Sequence, residues 1–262
     1  MKRVLITGAS GVIGTLMRER LGTQYEFVNM THRPADFPSH VGDIADFDII
    51  RPAFEGVESV VHMAAVPRVL APWEEIEPTN IRGTRNVYEA AKQAGVKQVI
   101  FASSNHAVAG HEVSIGPELY HLNDTRVLDE HVQIRPDSYY GTSKAFGEAL
   151  GRQYAGFDGL HVLCLRIGWV LRHDDPRQAR YEGANTRPLL NEQDARARLR
   201  AIWLSHRDCA HLIDVCLKAE DIQYGIYYGI SNNPRQFHDL TNARAELGYT
   251  PLDSAPPDLA PA

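Results

Sequence analysis

No run of the roughly 18 apolar residues that a bilayer-spanning helix needs occurs in this chain, so no membrane span is expected. Lys2-Arg3 leads straight into a short apolar segment, and no signal peptide is expected either. Cysteine is scarce. Cys164, Cys209 and Cys216 are an odd number without metal-ligand spacing, which argues against a disulfide framework and for reduced, buried thiols in a cytoplasmic protein. Twelve histidines are present, but none stands in an H-x-x-x-H or H-E-x-x-H arrangement, and no metal is expected. Positive charge is not in excess. A formal charge of −6 gives no electrostatic footprint for nucleic acid or an anionic membrane. Repeats and low-complexity tracts are missing until the Pro-rich tail 251–262, which is expected to be loosely held.

What remains is a chain with 44% hydrophobic residues over 262 positions, enough for one large α/β core. Strand-like runs at 2–7, 25–31, 58–63, 97–103, 160–167 and 226–230 alternate with helical patterns at 11–21, 46–54, 74–94, 139–155 and 206–219. That alternation predicts a doubly wound parallel sheet covered on both faces. We expect a single domain, 1–262. Residues 1–167 would be mainly the dinucleotide-binding core, and 168–262 mainly a small C-terminal substrate-binding lobe with the last strand. Two long connections, 105–137 and 168–202, emerge where ligands of such sheets bind, beyond the carboxyl ends of the strands.

The first strand runs into Thr7-Gly8-Ala9-Ser10-Gly11-Val12-Ile13-Gly14 and then a helical segment. Glycines in this setting make a tight turn, let the backbone approach a pyrophosphate and allow close helix–strand packing. The helix N-terminus offers unpaired N–H groups to the anion. Gly8, Gly11, Val12, Ile13 and Gly14 are therefore candidate cofactor contacts in a Rossmann-like fold. Farther on, Tyr140 and Lys144 lie four residues apart at the head of a predicted helix, on one face. A tyrosine with a pKa of about 10 is a poor base near neutrality, and an ammonium beside it would draw that value down. Such a pair can take a proton from an alcohol while hydride leaves the same carbon. Alone the spacing is common on amphipathic helices; with the glycine-rich entry it becomes specific.

T-G-x-x-G-x-x-G and Y-x-x-x-K together resemble the extended branch of the short-chain dehydrogenase/reductase superfamily. The resemblance implies NAD or NADP as cofactor, Tyr140 as general base, and Lys144 lowering its pKa and holding the nicotinamide ribose. It places Ser104 near the reacting carbon. Asp43, before Ile44, meets the adenine amino group in that reading, or else simply caps the next helix. Ala64, Ala65 and Ile167 line the cofactor. The second strand should end in a ribose-binding aspartate. This chain has Thr31-His32-Arg33, which makes the 2′-phosphate of NADP acceptable if Arg33 is not an ordinary surface charge.

Ser104-Asn105-His106, Arg-Pro-Asp before Tyr140, Leu165-Arg166-Ile167-Gly168 and Trp203-Leu204-Ser205-His206 narrow the resemblance to the uronate dehydrogenases. These oxidise the anomeric carbon of a hexuronic acid to an aldarolactone. Asn105 and His106 would then shape the sugar pocket, and Arg198 would grip the carboxylate bidentately. The stretch from Arg172 to Arg200 has seven Arg against five Asp or Glu, a net +2 that suits a small anionic sugar. Where such enzymes carry two substrate-touching serines, this chain has Pro67 and Trp169, and its 168–202 connection is longer. Relatives of this type pair through the helices placed here at 74–94 and 139–155, which implies a homo-oligomer. A sugar epimerase or carbonyl reductase would share the same pair. A cofactor-sensing regulator would lack it.

Overall fold

A computed structural model describes residues 1–178 and 190–256. Seven parallel strands form one sheet: β1 (Arg3–Thr7), β2 (Glu26–Thr31), β3 (His40–Val41), β4 (Ser59–His62), β5 (Gln98–Ser104), β6 (His161–Ile167) and β7 (Tyr224–Gly229). Their order is β3-β2-β1-β4-β5-β6-β7. The chain therefore winds outward in both directions from the β1/β4 junction, where Thr7 pairs with His62. A crevice must open at that switch point.

Successive residues of each strand enter opposite faces. Val4, Ile6, Leu163 and Leu165 pack with Leu212 and Ile213 on one side. Leu5, Val60, Val99 and Val162 pack with Val87, Tyr88 and Ala91 on the other. Double-sided burial explains why these strands read as continuous apolar runs, each such side chain contributing about 1.5–3 kcal/mol. The helix Tyr139–Asp158 starts at Ser138, whose hydroxyl accepts from the Gly141 N–H at 3.1 Å. A Cβ at Gly147 would overlap the Phe101 ring of β5. The missing side chain lets the helix lie close on β5 and brings its first turn, with Tyr140 and Lys144, to the strand's carboxyl end.

The six expected strands are all present, and the two-residue β3 was not expected. Pro52, without an N–H, ends the expected 46–54 helix as α-helix at Ile50, and a tighter 3₁₀ turn, Arg51–Phe54, follows. The expected 74–94 helix is broken by Pro78 into Trp73–Ile76, a π-helical stretch Glu77–Gly83, and Thr84–Gln93. Helices Gly110–Ile115, Glu192–Ile202 and Thr241–Leu247 were not foreseen. The first two lie inside the long connections. The tail is not loose as far as it is described: the Asp253 carboxylate accepts from Ser205 and Arg207, and Ala255 N–H donates to Asn233. Residues 257–262, and 179–189 of the second connection, lie outside the described residues. No described helix is long and apolar enough to cross a membrane.

Candidate active site

A cleft of about 1020 Å³ opens at the carboxyl ends of β1, β4, β5 and β6. Every site residue expected from sequence lines it except Arg33. At one end, Gly8 adopts φ +73°, and a Cβ there would come within 2.8 Å of the Ala64 backbone nitrogen. A Cβ at Gly14 would meet Ala9 Cα at 2.7 Å. Both places are closed to any side chain, so the loop presents bare backbone and the start of the helix Val12–Leu21 to the cleft. This cradle fits a dinucleotide pyrophosphate. His32, Asp43 and Ile44 line the far wall. Asp43 does not cap the next helix. Its carboxylate accepts from Ala45 N–H at 2.9 Å, while Asp46 caps that helix through Ile49 N–H.

Arg33 is exposed one residue past His32 and has no ion-pair partner among the described residues. It does not line the cleft, whereas His32 beside it does. If it meets a 2′-phosphate, Arg33→Ala should raise the Kd for NADP+ roughly tenfold to a hundredfold and spare NAD+. Calorimetric titration of both cofactors checks this, and equal effects, or none, would leave Arg33 as a surface charge.

Tyr140, Lys144 and Ser104 come together at the inner end. Ser104 ends β5, and its hydroxyl accepts from His106 N–H at 3.2 Å. Lys144 Nζ donates to Ala102 O at 2.7 Å and lies 5.5 Å from the centre of the Tyr140 ring. The expectation that Lys144 draws the phenol pKa down is not met in this arrangement. Burial pushes Tyr140 up to about 12, against a hydrogen bond with Ser104 and with help from the Asp137 charge. Burial likewise draws Lys144 down to about 8. Removal from water is the largest cause for both groups, and the ammonium is bonded to a backbone carbonyl.

Three residues stand behind the lining of the inner end, and sequence reading missed all of them. Asp137 bonds His106 Nδ1 at 2.8 Å, with the His106 ring set edge-on to Tyr140 at 5.8 Å. Burial raises the Asp137 carboxyl, but His106 outweighs it and holds the group below its ordinary value. Asp137 sits in the Arg-Pro-Asp that was singled out only as a motif. His62, buried between Thr7 at 2.7 Å and Thr84 at 3.2 Å, is kept neutral by burial, its pKa drawn down to about 3. Glu112 is fully buried on the helix Gly110–Ile115. Nothing in the local sequence marks it.

Glu112 changes the reading of Arg198. That arginine lies on the helix Glu192–Ile202, which is tied to the sheet by Trp169 N–H donating to Ile202 O at 2.7 Å and Leu204 N–H to Trp169 O at 3.0 Å. Arg198 reaches the cleft but is 4% exposed. Its Nε donates to Glu112 Oε2 at 2.6 Å, and a terminal nitrogen donates to Oε1 at 3.4 Å. The guanidinium expected to grip a substrate carboxylate holds one from its own chain. Pro67 and Trp169 also line this part of the cleft.

Residues 4–179 match the NAD dependent epimerase/dehydratase family. The chain belongs to that family. Within it, the chain is 37% identical to an NAD-dependent glucose-6-phosphate dehydrogenase of Haloferax volcanii, over 96% of this chain and 94% of the relative. It is 36% identical to an L-arabinose 1-dehydrogenase (NAD(P)(+)) of the same organism, over 97% and 98%. Among solved structures, a uronate dehydrogenase variant from Agrobacterium tumefaciens complexed with NAD superposes with a TM-score of 0.79 at 31% identity, covering 97% of this chain and 86% of that one. NAD is the family's cofactor, and the glycine cradle and strand-end wall described above are built for it. The expected superfamily and doubly wound fold are thus met.

Proposed function

We propose that this member of the NAD dependent epimerase/dehydratase family oxidises C1 of a free sugar to its lactone. The observation that carries the reading is the convergence of Tyr140, Ser104 and the His106–Asp137 pair at the inner end of one cleft whose other end is a glycine cradle. Bound NAD supplies the hydride acceptor for C1 and a positive charge favouring the phenolate. The chain's own residues do the rest. Ser104 orients the C1 hydroxyl, Tyr140 Oη takes its proton, and the C1–O bond becomes the lactone carbonyl. Asp137 holds the His106 ring so that the other ring nitrogen faces the sugar. Lys144, anchored on Ala102 O, keeps a donor beneath Tyr140.

The hexuronate form of this reading, glucuronate or galacturonate to the aldarolactone, is supported by the likeness to uronate dehydrogenase, while the pairing of Arg198 with Glu112 weighs against it. The likeness to the arabinose and glucose-6-phosphate enzymes supports other sugars. A sugar epimerase would use the same pair but return the hydride. The experiment is an initial-rate series with glucose, galactose, arabinose, glucuronate, galacturonate, glucose 6-phosphate and UDP-glucose, each with NAD+ and NADP+. At least one free sugar is expected to form NADH, and UDP-glucose is not. Interconversion of UDP-sugars without net NADH would replace this reading with the epimerase.

A further inference from the structure

We propose that Glu112 sets the substrate class: by occupying Arg198 it makes the sugar end of the cleft a site for neutral aldoses rather than uronates. This rests on the C1-dehydrogenase reading and deepens it. The Glu112 carboxylate is completely buried and accepts from four donors: the Arg198 Nε and terminal nitrogen, the Tyr120 hydroxyl at 3.0 Å and Asn105 Nδ2 at 3.5 Å. Burial by itself would raise its pKa, but the Arg198 guanidinium outweighs that and holds it below the ordinary carboxylate range. The pair is therefore a true ion pair with its charges cancelled inside the protein.

The other charged groups facing this end do not tip the balance toward an anion. Asp137 is held ionised against His106. His238, stacked on Tyr228 and near both Glu112 and Arg198, is kept neutral by burial, its pKa near 3. Arg68, the other guanidinium on the described wall, is exposed and paired with Glu75. Lys144 is committed to Ala102 O. A uronate carboxylate arriving here would compete for Arg198 with an internal carboxylate already in place, and would face the charges of Glu112 and Asp137. A neutral hydroxyl meets neither penalty, and discrimination by such repulsion is a general device. Asn105 links the two halves of the design: its side chain touches both Glu112 and Ser104, so the ion pair also braces the residue beside the reacting carbon.

The test uses the full chain with saturating NAD+ and compares kcat/KM for galacturonate against galactose and for glucuronate against glucose. The unmodified chain is expected to favour each aldose by about tenfold or more. Glu112→Gln keeps the shape but leaves Arg198 as a net cation. It should shift the uronate-to-aldose ratio toward the acid by about tenfold or more, chiefly through the uronate KM. Should that variant fail to fold, Glu112→Gln with Arg198→Gln removes both charges together and strands neither. Its ratio should stay within about threefold of the unmodified chain, whereas a selective loss of uronate turnover would mean that Arg198 grips the acid after all. Equal losses on both sugars in Glu112→Gln would mark Glu112 as a structural prop and overturn the proposal. So would an unmodified chain that prefers uronates, although C1 oxidation would then stand. Turnover of no sugar at all would overturn that underlying reading and this one with it.

Discussion

Replacing Tyr140 by phenylalanine is expected to lower kcat for sugar oxidation by about a hundredfold or more, the scale of general-base catalysis, while cofactor affinity changes by no more than a few fold. In the proposed reaction the phenol accepts the C1 hydroxyl proton, and it lines the inner end of the cleft with Ser104. The ring itself packs against His106 and over Lys144, so phenylalanine keeps the contacts and removes only the oxygen. Because burial pushes the phenol up to about 12, little of it is ionised near neutrality. The rate of the unmodified chain should therefore climb as pH rises through the neutral and alkaline range, more steeply than the residual rate of Tyr140→Phe, in which only groups such as Lys144 still titrate. Near-normal turnover in the variant would remove Tyr140 from the mechanism.

Glu148→Ala should have the largest effect on stability. Arg166 and Glu148 are each 1% exposed and meet through two bonds, Nε to Oε1 at 2.9 Å and a terminal nitrogen to Oε2 at 3.0 Å. Ser103 donates to the same carboxylate at 2.6 Å, and Arg166 donates to the Tyr228 hydroxyl at 3.2 Å. Removing the carboxylate strands a guanidinium in the core, which costs about 3–5 kcal/mol. At about 2–4 °C per kcal/mol for a chain near this size, thermal unfolding should fall by roughly 6–20 °C. Converting both residues together, Arg166→Met with Glu148→Leu, should recover most of the loss, since two apolar side chains leave no charge unpaired. An unchanged midpoint in Glu148→Ala would show that water or a rearranged neighbour replaces the carboxylate. Ser103 precedes Ser104, so the pair also anchors the strand end that carries Ser104.

The glycine entry and the Tyr140–Lys144 pair were legible because each is a local pattern, and together they exclude the ordinary surface pair that the tyrosine–lysine spacing alone would allow. Strands buried on both faces announce themselves as apolar runs, which is why β1, β2, β4, β5, β6 and β7 stood out. The two-residue β3 is too short to carry a period. Pro52 and Pro78 interrupt helices whose outer limits the apolar pattern still marked. What escaped is what depends on distant segments meeting. Glu112 and Arg198 are 86 positions apart, on helices inside stretches that read as connections. Without that contact, Arg198 looks like a free cation awaiting a carboxylate. Likewise, sequence suggests that Lys144 activates Tyr140, but only the fold shows Nζ turned to Ala102 O.

The most direct measurement follows ¹³C-labelled C1 by NMR while NADH formation is read in the same sample, using labelled glucose and labelled glucuronate with NAD+. The expected result is an anomeric carbon signal replaced by a lactone carbonyl, one equivalent of NADH for each C1 oxidised, and the faster conversion in the neutral sugar. NADH formed while C1 stays anomeric, or a sugar altered at another carbon with no NADH, would contradict oxidation at C1.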